Sequence, residues 1–447
     1  MNGPRARLAA VALLALAVRV VYAILNRHHV VQGDALAYHL EGAFLAHGQG
    51  FREPYAAVPT AEHPPLHIVV VAFVDLLGGS SLLAQRLALC VVGTVTVVLI
   101  ALVARRLGGE RLGLVAGVIA AGYPMLWLPD GALMSETTYG VFVAGALLAA
   151  LRVRERPTAG RAAALGAVIA LAALTRGEAL GLLVLLAAPL LWRRWRSLAV
   201  AVLAFAVVIA PWTIRNLATF ERPVLISTNS DGVWAGANCH ATYYTSQIGA
   251  WRFDCYGSPP PGDESERMHV YRTRGVDYMR DHLSRLPLVL LAREGRLWDV
   301  YEPWTQGVFY AASEGRNPTA QRLGLLCYWL LLGPAIAGAW LLRRRRGPLW
   351  VLAAPLLLAA LTGAVTYGTT RFRFVAEPSL VLLGAVAVEA ALARLRAASS
   401  AHASSVPASA TATSVSAGIS QSQSIAECIA QTVRAAIGPA ARAASAR

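Results

Sequence analysis

The chain alternates long apolar runs with short polar breaks. Runs near the roughly 20 residues that cross a bilayer fall at about 8–25, 81–104, 112–129, 136–151, 161–175, 178–192, 197–214, 323–342, 348–368 and 375–393. The pattern predicts an all-α polytopic membrane protein with about ten or eleven transmembrane helices. The first run also has the length of a signal peptide's apolar core. Apolar segments follow it throughout and no clear small-x-small cleavage site stands out, so it reads as a retained span. Leu66–Leu77 is too short to cross and reads as a juxtamembrane helix. Two loops are long, at about 26–80 and 216–322. Within the second, Met268–Trp298 reads as an amphipathic helix resting at a bilayer surface. The membrane domain spans 1–396. The Ala/Ser-rich stretch 397–447 reads as a flexible cytoplasmic tail. In it Ile425, Ile429, Val433 and Ile437 recur every four residues and suggest a short terminal helix.

Charge fixes the sidedness. Only 15% of residues are charged, against about 25% in soluble domains, so an ordinary soluble enzyme is excluded. The net charge is +15, and every basic residue is Arg. These arginines cluster in short breaks: Arg105, Arg106 and Arg111; Arg152, Arg154, Arg156 and Arg161; Arg193, Arg194 and Arg196; Arg343–Arg346. Only Glu110 and Glu155 oppose them there. Cytoplasmic loops collect Arg and Lys. The pattern therefore places both termini in the cytoplasm and both long loops on the extracytoplasmic face of the cytoplasmic (inner) membrane. If Leu66–Leu77 crossed, these clusters would change sides. The positive charge is thus a topology signal and predicts no nucleic-acid partner. Cys239 and Cys255 share the second loop, on the oxidising side. Either they are free thiols or they form a disulfide, which would stabilise the loop by roughly 3 kcal/mol.

Charged residues in or beside spans are costly and usually functional. Here they gather at one membrane face. Asp34 follows Gly33 in Gly33-Asp34-Ala35-Leu36-Ala37-Tyr38-His39. Glu62-His63-Pro64-Pro65 introduces the juxtamembrane helix. Asp130 and Glu136 bracket one end between two spans. Arg176 and Glu178 interrupt Leu174-Thr175-Arg176-Gly177-Glu178, and Arg371 and Arg373 sit in Thr370-Arg371-Phe372-Arg373-Phe374. A carboxylate can take a proton from an attacking hydroxyl. Arg offers a planar, permanently charged fork to a phosphate. Together they suggest sugar transfer from a polyprenyl phosphate to an acceptor hydroxyl. Each residue also has a plainer reading. Asp34 can cap a helix, and Tyr38 and His39 can be interfacial packing. His63 can shape a turn, and Glu136 can favour a helix N-terminus. Arg176, Arg371 and Arg373 can snorkel to headgroups, while Glu178 pairs locally or caps a helix.

In order and placement these motifs resemble the GT-C glycosyltransferases, in the protein O-mannosyltransferase and aminoarabinose transferase-like group. The matching features are Gly33-Asp34 with Tyr38, His63-Pro64-Pro65-Leu66, Gly78 with Arg86, Met134-Ser135-Glu136, Leu174-Thr175-Arg176 and Arg371-Phe372-Arg373-Phe374. The resemblance implies an inverting transfer from a lipid-phosphate sugar to a glycan, lipid or protein acceptor. It assigns Asp34 as the catalytic carboxylate and Glu136 as a second acidic residue. Arg176, with one or both of Arg371 and Arg373, would hold the donor phosphate. His63 would position substrate, with Tyr38, His39 and Glu62 as further substrate contacts. The first loop has no Asp-x-Asp, the feature tied to metal in some related transferases, so no metal or other cofactor is expected. A polytopic lipid transporter or flippase is the alternative reading, with Thr175-Arg176-Gly177 as a broken helix.

Overall fold

The computed structural model describes residues 3–307 and 315–405. The terminal helix expected around Ile425–Ile437 lies outside them. Among the described residues all regular structure is helical, apart from one isolated antiparallel bridge between Arg52 and Pro59. The site and the helices that carry it belong to one compact unit, Met1–Glu389. Residues beyond it form a second unit.

Among the described residues, six helices are long and apolar enough to cross a membrane. They are α1 (Pro4–Leu25), α4 (Leu82–Gly122), α5 (Glu136–Glu155), α8 (Trp195–Thr219), α12 (Pro318–Arg344) and α14 (Glu377–Ser405). α4 is two legs. Gly108 leaves helical geometry, and Gly109 turns back at φ 83°, where a side chain would be strained. Gly113 and Gly117 on the second leg pack on Arg105 and Ala101 of the first. Of four shorter apolar helices among the described residues, three beyond the first loop are α6 (Ala159–Ala173), α7 (Gly177–Leu191) and α13 (Leu349–Val365). With the second leg of α4 they bring the apolar segments to the ten read from the sequence. α7 is irregular: a tight turn at Gly177–Leu180 is followed by a wide π-type turn at Leu183–Ala187. α14 continues to Ser405, past Ala397, where the sequence suggests that a flexible tail begins.

Close helix approach depends on small residues. A Cβ on Gly166 of α6 would lie 1.9 Å from the Ala201 carbonyl of α8. One on Gly338 of α12 would lie 1.8 Å from the Leu383 carbonyl of α14.

The first loop folds into α2 (Asp34–Ala46) and α3 (Pro65–Leu76), which pack together. Pro65 opens α3, where its missing N–H costs nothing. The next N–H, on Leu66, donates to the Leu174 carbonyl at 2.9 Å and so docks α3 on the end of α6. The second loop holds α9 (Asn229–Ala237), α10 (Glu264–Asp281) and α11 (Leu286–Leu297). The single helix expected over Met268–Trp298 is therefore two. Asp263 and Glu266 form a reciprocal capping box that starts α10 ahead of Met268. The helix ends at Asp281, and a turn through His282–Arg285 precedes α11. Cys239 and Cys255 are disulfide-bonded at 2.03 Å.

The Arg clusters sit at the ends of helices away from this loop region. α5 runs from Glu136 to Arg152 and Arg154, about 30 Å over its 20 residues. α8 starts beside Arg194 and ends where Arg215 donates to the Thr60 carbonyl at 2.8 Å. Glu110 pairs with Arg105, and Glu155 with Arg106.

A buried ion pair ties α1 to the rest of the helix packing. Arg19 of α1 is fully buried and pairs with the equally buried Asp130 at 2.9 Å. Thr137 donates to the other Asp130 oxygen at 2.8 Å. Asp130 is thus a counter-ion inside the helix packing and is not grouped with Glu136.

Candidate active site

α2 begins at Asp34 because Gly33 turns the chain with φ 54°, ψ −133°. Few residues other than glycine adopt that conformation. Asp34 occupies the first turn, where the helix dipole favours a carboxylate. Tyr38 and Glu41 follow at helical spacing on the same face. Opposite them stands the start of α3. The Tyr38 ring lies 4.7 Å from the His63 ring and 4.7 Å from the His67 ring, centroid to centroid.

The last hairpin supplies the cation. Arg371 Nη1 donates to Asp34 Oδ2 at 2.8 Å, and its Nε to Glu136 Oε1 at 2.9 Å. Glu136 is buried at the start of α5 and meets two further guanidiniums, Arg176 at 3.4 Å and Arg316 at 3.5 Å. Arg176 also pairs with Glu178 at 2.6 Å, the local pairing expected for that residue. The Ser135 hydroxyl accepts from Tyr38 at 3.2 Å and from Arg176 at 3.4 Å. α6 ends at Ala173, so Arg176 leaves the bundle and turns toward Glu136. The Arg176 guanidinium lies over the Phe372 ring at 5.8 Å and the Tyr139 ring at 6.0 Å. Asp34, Tyr38, His63, Glu136, Arg176 and Arg371 therefore form one cluster.

Two expected members lie elsewhere. Arg373 is fully buried in a separate knot with Asp299 at 2.6 Å and Glu377 at 2.8 Å. It also sits over the Tyr328 ring at 3.6 Å. It follows Arg371 by two positions in one helical turn, so the two side chains leave on different sides. His39 bonds Gln85 at 2.9 Å, and Gln85 in turn bonds Asp75. It lies one position past Tyr38 and so faces α4.

Three contributors were not read from the sequence. Glu41 and Arg316 are polar positions in a mixed helix and a loop, with no motif to mark them. Glu264 is the third. It accepts from Thr60 Oγ1 at 2.6 Å, Ala61 N at 2.9 Å and Thr228 Oγ1 at 2.7 Å. It thereby ties the second loop to the segment leading into His63.

The electrostatics separate the groups. Burial would raise the Asp34 carboxyl, but Arg371 and His63 outweigh it and hold Asp34 well below the usual carboxylate range. The Asp34 side chain keeps 33% exposure and stays reachable. Burial would lower His63, yet Tyr38, Glu41 and Asp34 raise it well above an ordinary histidine. Glu62 is half-buried. Burial pushes its carboxyl up to about 7; His63 opposes this, and Asp34, Glu264 and Glu41 add to it. His67 donates to or accepts from Thr138 at 2.9 Å and meets the Leu133 carbonyl at 3.2 Å. Burial lowers it to about 4.

Residues 62–214, from Glu62 through most of α8, match the family described as dolichyl-phosphate-mannose-protein mannosyltransferase. A search of curated proteins by sequence gives no match. Among solved structures, the archaeal oligosaccharyltransferase AglB from Archaeoglobus fulgidus, complexed with an inhibitory peptide and a dolichol-phosphate, aligns with a TM-score of 0.53. The alignment covers 90% of this chain and 52% of that one, at 13% identity. The chain shares its fold with that oligosaccharyltransferase. An Archaeoglobus fulgidus oligosaccharyltransferase tethered to an acceptor peptide containing the NVT sequon gives 0.54, over 88% and 50% of the two chains at 13% identity. ArnT from Cupriavidus metallidurans bound to undecaprenyl phosphate is 20% identical, over 86% and 77%, with a TM-score of 0.40. The chain spans about half the length of the oligosaccharyltransferases it matches. The resemblance read from the motifs therefore holds at the level of the fold, with the family match over residues 62–214. The family match contains Glu62, His63, Glu136 and Arg176, while Asp34 and Arg371 lie outside it.

Proposed function

We propose that the chain transfers a sugar from a polyprenyl-phosphate donor to an acceptor hydroxyl, with inversion and with Asp34 as the base. The observation that carries this reading is the sharing of Arg371 between Asp34 and Glu136, with Arg176 and Arg316 on the same carboxylate. A reachable carboxylate thus stands beside a cluster of guanidiniums. Transferases of this kind need that pairing of a base with an anion site.

Arg371 occupies Asp34 Oδ2 and leaves Oδ1 for the acceptor. The hydroxyl oxygen attacks the sugar's anomeric carbon, and its proton passes to Oδ1. The bond from that carbon to the phosphate oxygen breaks, and its electron pair leaves with the phosphate. Arg176 and Arg371 meet the charge that develops there. Attack from the side opposite the leaving group inverts the anomeric configuration. Arg371 and His63 keep Asp34 ionised, so it is a weak base. Proton transfer then belongs late in the step, when the attacking oxygen has become acidic.

The family's donor, dolichyl-phosphate-mannose, and the dolichol-phosphate in AglB support a polyprenyl-phosphate carrier. The Arg-rich turns at the far helix ends support an extracytoplasmic site with both termini in the cytoplasm. None of the described chemistry requires a metal.

The test is turnover by purified protein in detergent with a panel of radiolabelled polyprenyl-phosphate sugars and membrane-extract acceptors. Release of polyprenyl phosphate from one donor, by wild type and not by Asp34→Asn, is expected. No turnover of any donor would overturn the reading in favour of lipid transport. Equal turnover by Asp34→Asn would keep the enzyme and remove Asp34 as its base.

A further inference from the structure

Asp34, Tyr38 and Glu41 share one face of α2, and the proposed reaction uses only the first. Glu41 is 1% exposed. Its Oε1 lies 3.1 Å from His63 Nδ1. Across the same ring, His63 Nε2 faces Asp34 Oδ1 at 3.8 Å. The imidazole stands between two carboxylates, with the Tyr38 ring against it at 4.7 Å. Among the described residues, Glu41 Oε2 and His63 Nε2 have no hydrogen-bond partner.

A buried carboxylate needs a counter-charge. Among the described residues, Arg176, Arg316 and Arg371 form ion pairs with Asp34, Glu136 and Glu178. Glu41 pairs with His63. The groups facing His63 are Asp34, Tyr38 and Glu41 from α2, Glu62 from its own segment and His67 from α3. Three carboxylates among these favour the doubly protonated imidazole. In that form Nδ1–H donates to Glu41, and Nε2–H points at the one Asp34 oxygen that Arg371 leaves open.

We propose that Glu41 is a positioning residue for the transfer: it fixes His63, and His63 aims Asp34 Oδ1 and keeps that carboxylate charged. This rests on the reading of Asp34 as the base. The arrangement is a base oriented by a second group that is itself oriented by a third. The acceptor's proton still goes to Asp34, and His63 keeps both of its own.

The consequence is an alkaline limit. Activity falls as pH rises through the His63 titration, because the imidazolium is lost. Removing the Glu41 charge lowers that titration and moves the limit to lower pH.

The experiment uses the full chain in detergent as wild type, Glu41→Gln, Glu41→Asp and His63→Gln. His63 is titrated by NMR of 15N-histidine protein, with His63→Gln identifying its signal. Turnover of the productive donor is followed against pH. In Glu41→Gln the His63 midpoint should fall by about one unit or more, as for loss of an adjacent charge. The alkaline limb of kcat should fall with it, while donor KM stays unchanged. Glu41→Asp should restore the limb, and His63→Gln should lack it. An unmoved His63 midpoint, or one factor of loss at every pH, would make Glu41 a packing residue and overturn the inference. A moved midpoint with an unmoved limb would also overturn it and would leave Asp34 as the base. Absence of turnover in wild type would overturn the functional reading and this inference together.

Discussion

Arg371 Nη1 lies 2.8 Å from Asp34 Oδ2, although 337 positions separate the two residues. The last hairpin thus reaches the first loop and sets one oxygen of its carboxylate. Arg373, two positions on, points instead into a buried knot. Arg371→Gln is expected to lower turnover by about 10²-fold or more, as for a lost donor at a developing charge, with thermal stability near wild type. Arg373→Gln should do the reverse. Uncompensated Asp299 and Glu377 should cost about 3–5 kcal/mol, while the protein that remains folded keeps its turnover. Paired unfolding and turnover measurements check both.

Asp34→Asn preserves shape and removes the proposed base. Turnover should drop by roughly 10²–10⁴-fold, with donor affinity retained through Arg176 and Arg371. Equilibrium binding of a labelled donor separates the two effects. A loss of affinity as large as the loss of rate would contradict the assignment.

Glu62 titrates near the pH of use, with its carboxyl pushed up to about 7. A sugar hydroxyl donates better to the ionised form. Substrate KM should therefore rise as pH falls below about 7, and Glu62→Gln should flatten that dependence. Stability carries the opposite sign. The folded protein holds this proton more tightly than the unfolded chain, so ionisation destabilises the fold as pH rises from the ordinary carboxylate range toward 7. The Tm advantage of Glu62→Gln should grow across that window and then level off.

Cys239 and Cys255 close a loop with a sequence separation of 16. Replacing both with Ser should destabilise the second loop by about 3 kcal/mol. Faster proteolysis between α9 and α10, reproduced in wild type by reductant, is the expected readout.

The spans and the Arg alternation were legible because crossing a bilayer imposes length, and charge at span ends imposes sign. Asp34, Glu136, Arg176 and Arg371 were legible for a related reason: ionised groups at a membrane boundary carry a cost that needs a return. Arg19 escaped because a lone charge inside an apolar run gives no hint of Asp130, 111 positions away. Arg373 was grouped with Arg371 because adjacency in sequence says nothing about which side of a helical turn a residue leaves from. His39 was grouped with Tyr38 for the same reason. Glu41 sits at positions i+7 from Asp34 and i+3 from Tyr38, a spacing that could have placed it on their face once α2 was recognised as a helix.

Glu264 gives the second loop a grip on the first, through Thr60, Ala61 and Thr228. The two loops are consequently not interchangeable modules. A chimera that imports a relative's second loop would replace Glu264 and Thr228 and leave Thr60 and Ala61 without their acceptor. His63 follows that segment directly, so such a graft would disturb His63, and with it the proposed base Asp34, before any new acceptor arrived. Exchanging the first loop together with the second would transplant the whole joint.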